Sequence, residues 1–180
     1  KSFLEEFRMA DIYNQITKDD FLWIQFGHND AKVEDPKRFT EPWTDYQKNL
    51  EKFVNVAWNK QAHPILITPL SRRYFIDETH LEDKIHGDYP EAMKEVGKKL
   101  GVPVIDLYSM SRKLLEQLGE VESRKYFMHL APYEYLNYPE GLTDNTHINY
   151  KGAVAFARLV ALGLKELGGI YQDLVEVDQL

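Results

Sequence analysis

Two short polar strings carry the residue types used in acyl transfer and assisted hydrolysis: Gly27-His28-Asn29-Asp30 and Asp144-Asn145-Thr146-His147. In the first, glycine lets the backbone turn sharply and come close to a ligand. The side-chain amide of Asn29 can donate to a developing oxyanion. An Asx-turn at a strand exit uses the same residue types, because Asn and Asp build such turns from their own side chains. In the second string, a carboxylate three residues ahead of an imidazole can accept from one ring N–H on a tight turn. That bond orients the ring and stabilises its cation, leaving the other nitrogen to act as a base. A plain structural use competes with this, in which Asp144 caps a turn, Asn149 caps the following helix and His147 is solvated.

Other side chains offer weaker signals. Arg72 and Arg73 lie after an apolar run and can pair with a uronate carboxylate in bidentate fashion, or stand solvated at the surface. Tyr133, Tyr135 and Tyr138 can present faces and hydroxyls to sugar rings, or fill the space beneath a long loop. Asp106 reads as a helix cap for the segment at Tyr108. No role is assigned to His86, and His63, His80 and His129 default to structural or exposed positions. His28, Asp30, Asp144 and His147 are all possible metal ligands, so metal-dependent hydrolysis stands as an alternative. The chain has no cysteine, which excludes thiol catalysis, zinc–thiolate sites and disulfides. Its formal charge of −7 argues against non-specific nucleic-acid binding, which relies on Lys and Arg at phosphates. No apolar run approaches the roughly eighteen residues of a membrane span.

These residues need elements to position them. Phe21–Phe26, Pro64–Thr68 and Val102–Asp106 are short β-branched or aromatic runs bounded by breakers, as in strands buried on both faces. Helical spacing runs through Trp43, Tyr46, Leu50, Phe53, Val54 and Ala57. Tyr89–Leu100 reads as a helix with Pro90 in its first turn and Gly101 at its stop. A helix is also expected over residues 2–16, and a pair broken at Gly119 over 110–118 and 120–127. The longest helix, residues 150–167, is expected to bury Val154, Ala157, Val160, Ala161 and Leu164. Strands alternating with helices predict an α/β fold with parallel strands and helices on both faces. Three strands make a narrow sheet beside the usual five or so, so a βαβ piece of about 30 residues or more is expected to be missing.

Gly27-x-Asn29-Asp30 after a strand, with Asp144-x-x-His147 before a C-terminal helix, resembles the SGNH (GDSL-type) hydrolases. Within them the chain is similar to the rhamnogalacturonan acetylesterase-like group. Residues 24–30 (IQFGHND), 68–73 (TPLSRR), 86–90 (HGDYP), 137–141 (NYPEG) and 144–147 (DNTH) follow that group's order over essentially the whole chain. The resemblance implies a three-layer α/β/α sandwich, flavodoxin-like, around a five-stranded parallel sheet. It implies a carbohydrate O-acetylesterase, without cofactor or metal, acting on acetylated oligo- or polysaccharides of pectic type through a Ser-His-Asp acyl-enzyme mechanism. His147 would be the general base, Asp144 would hold its imidazole, and Asn29 would donate to the oxyanion. Gly27 would shape the turn that presents Asn29, and Asp30 would brace it.

The chain departs from the family at its nucleophile. Ser2, Ser71, Ser109, Ser111 and Ser123 all lack a preceding Gly-Asp, and the glycine expected after the family's second strand is absent. The expectation is therefore one hydrolase domain over residues 1–180, N-terminally incomplete, with its first strands and its serine outside this chain. A non-catalytic carbohydrate-binding or interaction module that kept the fold and lost the nucleophile is the alternative.

Overall fold

In the computed structural model, which describes residues 1–176, the chain divides into two units. One comprises Lys1–Pro69 with His86–Asp106, the other Leu70–Ile85 with the described residues from Leu107 onward.

The first unit holds the three apolar runs as parallel strands, β1 (Phe21–Ile24), β2 (His63–Ile67) and β3 (Val104–Ile105), in the order β1-β2-β3. Ile24 lies opposite Leu66, and Leu66 opposite Val104. Ile24 and Leu66 turn toward one cluster, made with Tyr46, Leu50, Phe53 and Val54 and with Ala92, Met93 and Val96. Ile65, Ile67 and Ile105 are buried as well, so β2 is covered on both faces, which is why its sequence is apolar without alternation. The α/β expectation with a parallel sheet holds; β1 and β3 are shorter than the runs that announced them, and β2 begins one residue earlier than its run.

Helix α3 (Gln47–Asn59) follows a π-helical turn at Pro42–Tyr46. Tyr46, Leu50, Phe53, Val54 and Ala57 are buried as expected, whereas Trp43 stays half-exposed and donates its indole N–H to Asp88 at 3.0 Å. Helix α4 (Tyr89–Leu100) begins with Pro90 in its first turn and ends on Gly101 in the left-handed region. Its Gly97 admits β3: a Cβ there would lie 2.2 Å from Val104 Cγ2. The helix expected over 2–16 is two, α1 (Ser2–Glu5) and α2 (Arg8–Gln15), separated by Phe7 at φ 57. Neither Gly nor Pro marks that break.

In the second unit, α5 (Leu107–Ser123) bends at Gly119, with φ 74 and ψ 176, where a break was expected. The stretch beyond it corrects the sequence reading. The helix expected to reach residue 127 stops at Ser123; a 3₁₀ turn (Arg124–Tyr126) and then β4 (Phe127–Leu130) follow. β4 pairs antiparallel with β5 (Leu142–Ile148), a hairpin that the sequence reading did not contain.

Helix α6 (Tyr150–Leu167) is capped by Asn149, whose side chain accepts from the Gly152 N–H at 3.0 Å; the short α7 (Gly169–Gln172) follows it. Of the stripe expected on α6 only Leu164 is buried. The buried line is Gly152, Phe156, Gly163 and Leu164, and Val154 is exposed. Apolar residues occur nearly all round α6, so spacing of three and four fits more than one face. Gly152 settles the choice: a Cβ there would sit 2.0 Å from the Tyr126 carbonyl oxygen, so only that side can approach so closely. Among the described residues no helix is long and apolar enough to cross a membrane.

Candidate active site: an imidazole–carboxylate turn and an amide loop

The β4–β5 hairpin is interrupted where the chemistry-bearing residues lie. Its register runs Leu130–Leu142, His129–Thr143 and Met128–Asp144, then jumps to Phe127–Ile148. Asn145, Thr146 and His147 are thereby looped out of the ladder. Bulges re-aim side chains in this way and favour functional positions. Within the loop, Asp144 Oδ1 accepts the backbone N–H groups of Thr146 at 2.7 Å and His147 at 2.9 Å, closing an Asx-type turn. Asp144 Oδ2 lies 2.6 Å from His147 Nδ1.

Electrostatics follow from these contacts. Burial pushes the Asp144 carboxyl up, but the His147 backbone N–H, its ring and the Thr146 N–H outweigh it and hold Asp144 below the usual carboxylate range. An ionised Asp144 fixes a proton on Nδ1 and leaves Nε2 as the basic nitrogen. The His147 side chain is 78% exposed, so Nε2 faces outward. The turn reading and the catalytic reading of Asp144 therefore describe one geometry.

Arg73 corrects an expectation. Far from meeting a substrate carboxylate, it is 2% exposed and its donors are taken within its own unit. Nε donates to Ser123 Oγ at 2.9 Å, Nη1 to Asn145 Oδ1 at 2.6 Å, and Nη2 to Glu120 Oε1 at 2.7 Å and to the Glu120 carbonyl. The Arg73 backbone N–H adds a bond to the Asn145 carbonyl at 2.8 Å. A buried guanidinium is tolerable only when paired and hydrogen-bonded like this. His129, assigned no partner from sequence, donates Nε2 to Asn145 Oδ1 at 2.9 Å.

In the first unit, the loop after β1 is held from several sides. Gly27 has φ 134, and a Cβ there would be 3.0 Å from Pro69 Cγ and 3.4 Å from Tyr46 Oη, so the turn requires glycine. Tyr46 Oη donates to the Phe26 carbonyl at 2.8 Å. Asp30 is buried and accepts from Thr40 Oγ1 at 3.0 Å, while Tyr89 Oη donates to its carbonyl at 2.7 Å. Asn29 is exposed, and its Oδ1 accepts from Arg38 Nη1 at 3.3 Å. Arg38 is in turn anchored on Asp35 Oδ2 at 2.5 Å. With the oxygen end of the amide occupied, Nδ2 is the end that can donate outward. Sequence reasoning missed Arg38; its only signal was a cation nine residues beyond the amide.

The family model described as GDSL-like Lipase/Acylhydrolase matches residues 5–160. The chain belongs to this family. It is 45% identical over 167 residues to the rhamnogalacturonan acetylesterase RhgT of Bacillus subtilis, covering 93% of this chain and 70% of that protein. It is 40% identical over 168 residues to the probable rhamnogalacturonan acetylesterase YesY of the same organism, covering 93% and 72%. Its fold resembles the crystal structure of the protein YxiM of Bacillus subtilis, with TM-score 0.72 at 21% identity over 91% of this chain and 41% of that one. It also resembles Axe2, an acetylxylan esterase from Geobacillus stearothermophilus, with TM-score 0.60 at 19% identity over 93% and 67%.

As a GDSL-like acylhydrolase the chain is a carboxylic ester hydrolase, and its serines can be weighed as nucleophiles. Ser123 accepts from Arg73, Ser111 Oγ accepts the Ser71 N–H at 3.0 Å and donates to the Tyr108 carbonyl, and Ser71 Oγ donates to the Arg72 carbonyl. All three are buried. Arg72 is half-buried and stays a candidate for carboxylate recognition. Tyr135 and Tyr138 line a cavity of about 680 Å³ with His129, Glu134 and Lys151, while Tyr133 is exposed. His86 is buried with its ring edge-on to His28, centroids 4.4 Å apart. Asp106 accepts from Thr68 Oγ1 and Lys94 Nζ at 3.1 and 3.2 Å. Among the described residues no three His, Asp or Glu side chains gather into a metal-binding group.

Proposed function

We propose that the protein is a carbohydrate O-acetylesterase for acetylated pectic sugars, with residues 1–180 acting as one hydrolase domain and the serine contributed from outside them. His147 Nε2 takes the serine proton as the serine oxygen attacks the acetyl carbonyl carbon. Asn29 Nδ2–H donates to the tetrahedral oxyanion. The imidazolium, held by Asp144, then protonates the departing sugar oxygen. Water, deprotonated by the same nitrogen, releases acetate and restores the serine.

One observation carries this reading: an exposed imidazole bonded through Nδ1 to an ionised carboxylate, on a segment looped out of its hairpin. The pectic assignment rests on the names of the two Bacillus subtilis relatives, and Arg72 is the residue proposed to meet a uronate.

The test is acetate release by the full-length protein from acetylated rhamnogalacturonan and from acetylated xylan, compared at equal acetyl content. Faster release from rhamnogalacturonan is expected. Equal rates on both polymers would remove the pectic assignment, and binding without acetate release would favour the non-catalytic module.

A further inference from the structure

We infer that Arg73 is a positioning residue for the His147–Asp144 pair, acting through Asn145. This rests on the base role proposed for His147.

A looped-out segment has no ladder of its own to hold it. Asn145, Thr146 and His147 lie between two paired positions of β5 with no residue of β4 opposite them. Left alone, such a segment keeps much of its conformational freedom, and each ordered residue costs about 1–2 kcal/mol of backbone entropy. Beyond the turn that Asp144 closes on Thr146 and His147, the bonds that order it come from the segment beginning at Ser71 and from His129 on β4. The Arg73 backbone N–H and Nη1 seize the carbonyl and the side-chain oxygen of Asn145, at 2.8 and 2.6 Å. His129 Nε2 closes on the same side-chain oxygen, and Tyr74 Oη stands 3.4 Å from Thr146 Oγ1.

The clamp is itself anchored. Ser111, early in α5, holds the Ser71 N–H; Ser123 and Glu120, beyond the bend at Gly119, hold the guanidinium. That bend brings the Glu120 N–H to the Glu78 carbonyl at 2.8 Å, and a Cβ at Gly119 would be 2.9 Å from the same oxygen. The asymmetric break in α5 thus serves to present Glu120 to Arg73. Arg124 first, then Arg73, holds the Glu120 carboxyl below its ordinary range. Glu120 therefore faces the guanidinium as a carboxylate. A rigid planar fork also fixes direction as well as distance, which a lysine ammonium does not.

What the clamp secures is direction. With Asn145 held at both its oxygens, the next two backbone N–H groups stay on Asp144 Oδ1 and the His147 ring stays on Oδ2. A small misplacement of a reacting group can lower turnover about 100-fold.

Arg73→Ala empties the site of a buried guanidinium and leaves the buried Ser123 without its donor, and can unfold the unit, so the deciding variants are Asn145→Ala and Asn145→Asp in the full-length protein. Asn145→Ala removes the oxygen shared by Arg73 and His129; Asn145→Asp keeps one. Two readouts are taken: kcat and KM for acetate release, and the ¹³C titration of the Asp144 carboxyl. For Asn145→Ala, kcat is expected to fall about 10- to 100-fold with KM little changed, and the Asp144 midpoint to rise toward 3.8, the ordinary value. Asn145→Asp is expected to recover most of kcat.

A folded Asn145→Ala protein with the parent's kcat and the parent's Asp144 titration would overturn the inference. His147→Ala separates this failure from that of the underlying reading. If His147→Ala is inactive while Asn145→Ala is not, only the clamp fails. If His147→Ala is fully active, the base role fails, and the titration alone then decides the clamp.

Discussion

His147 reaches Asp144 twice, through its backbone N–H to Oδ1 at 2.9 Å and through ring Nδ1 to Oδ2 at 2.6 Å. Asp144→Asn preserves the shape of the turn but replaces one acceptor oxygen with a donor, which favours the wrong imidazole tautomer. The expected outcome is a kcat lower by about two to four orders of magnitude with near-parental thermal stability. Steady-state kinetics beside a melting curve checks it; more than half the parent's kcat would mean that the carboxylate does not orient the ring.

The same contacts set an acid response. Asp144 is held below its ordinary value of 3.8, so the unfolded chain binds this proton more readily than the folded one. The contribution to stability is therefore fully present above 3.8 and is lost as pH falls through the folded value. Asp77 behaves alike: the Thr79 and His80 N–H groups, followed by the His80 ring, lower it from 3.8 to about 2. Carboxyl ¹³C titrations should place the Asp144 midpoint below 3.8 and that of Asp77 near 2. Midpoints at or above 3.8 for either would contradict the turn geometry.

Asn29 and Arg38 should differ in degree. Asn29→Ala removes the proposed oxyanion donor and is expected to lower kcat by about two to three orders of magnitude. Arg38→Ala only frees the amide to rotate, so a smaller fall in kcat is expected, about tenfold, again with KM little moved. A larger loss for Arg38→Ala than for Asn29→Ala would give the guanidinium a direct part in the reaction.

Helix α6 docks through a glycine that tolerates no side chain. Gly152→Ala would put a methyl 2.0 Å from the Tyr126 carbonyl oxygen, and repacking should lower stability by about 1–3 kcal/mol. Urea denaturation measures this directly; an unchanged midpoint would show that α6 and Tyr126 can separate freely.

What the sequence disclosed and what it hid follow from how local each determinant is. β2 and α4 were legible because their signals lie inside them, an unbroken apolar run in one and Pro90 and Gly101 at the ends of the other. Gly119 likewise announced its own bend. The β4–β5 hairpin was invisible because its three looped-out residues break the alternation by which a strand is recognised. The face of α6 was misjudged because its selection depends on a carbonyl 26 residues away in sequence, that of Tyr126.

The candidate site shows the same division. The pairing of Asp144 with His147 spans three residues and could be read directly. Arg73 looked like a free cation because its partners Glu120, Ser123 and Asn145 lie 47, 50 and 72 residues further along. Arg38 and Asn145 carried no distinguishing signal beyond lying in or near the two motifs.

The most direct measurement is acetate release from acetylated rhamnogalacturonan by the full-length protein and its His147→Ala variant, side by side and at equal folded concentration. Loss of at least about three orders of magnitude in kcat is expected if the imidazole is the general base. Parental turnover by His147→Ala would contradict the proposed mechanism.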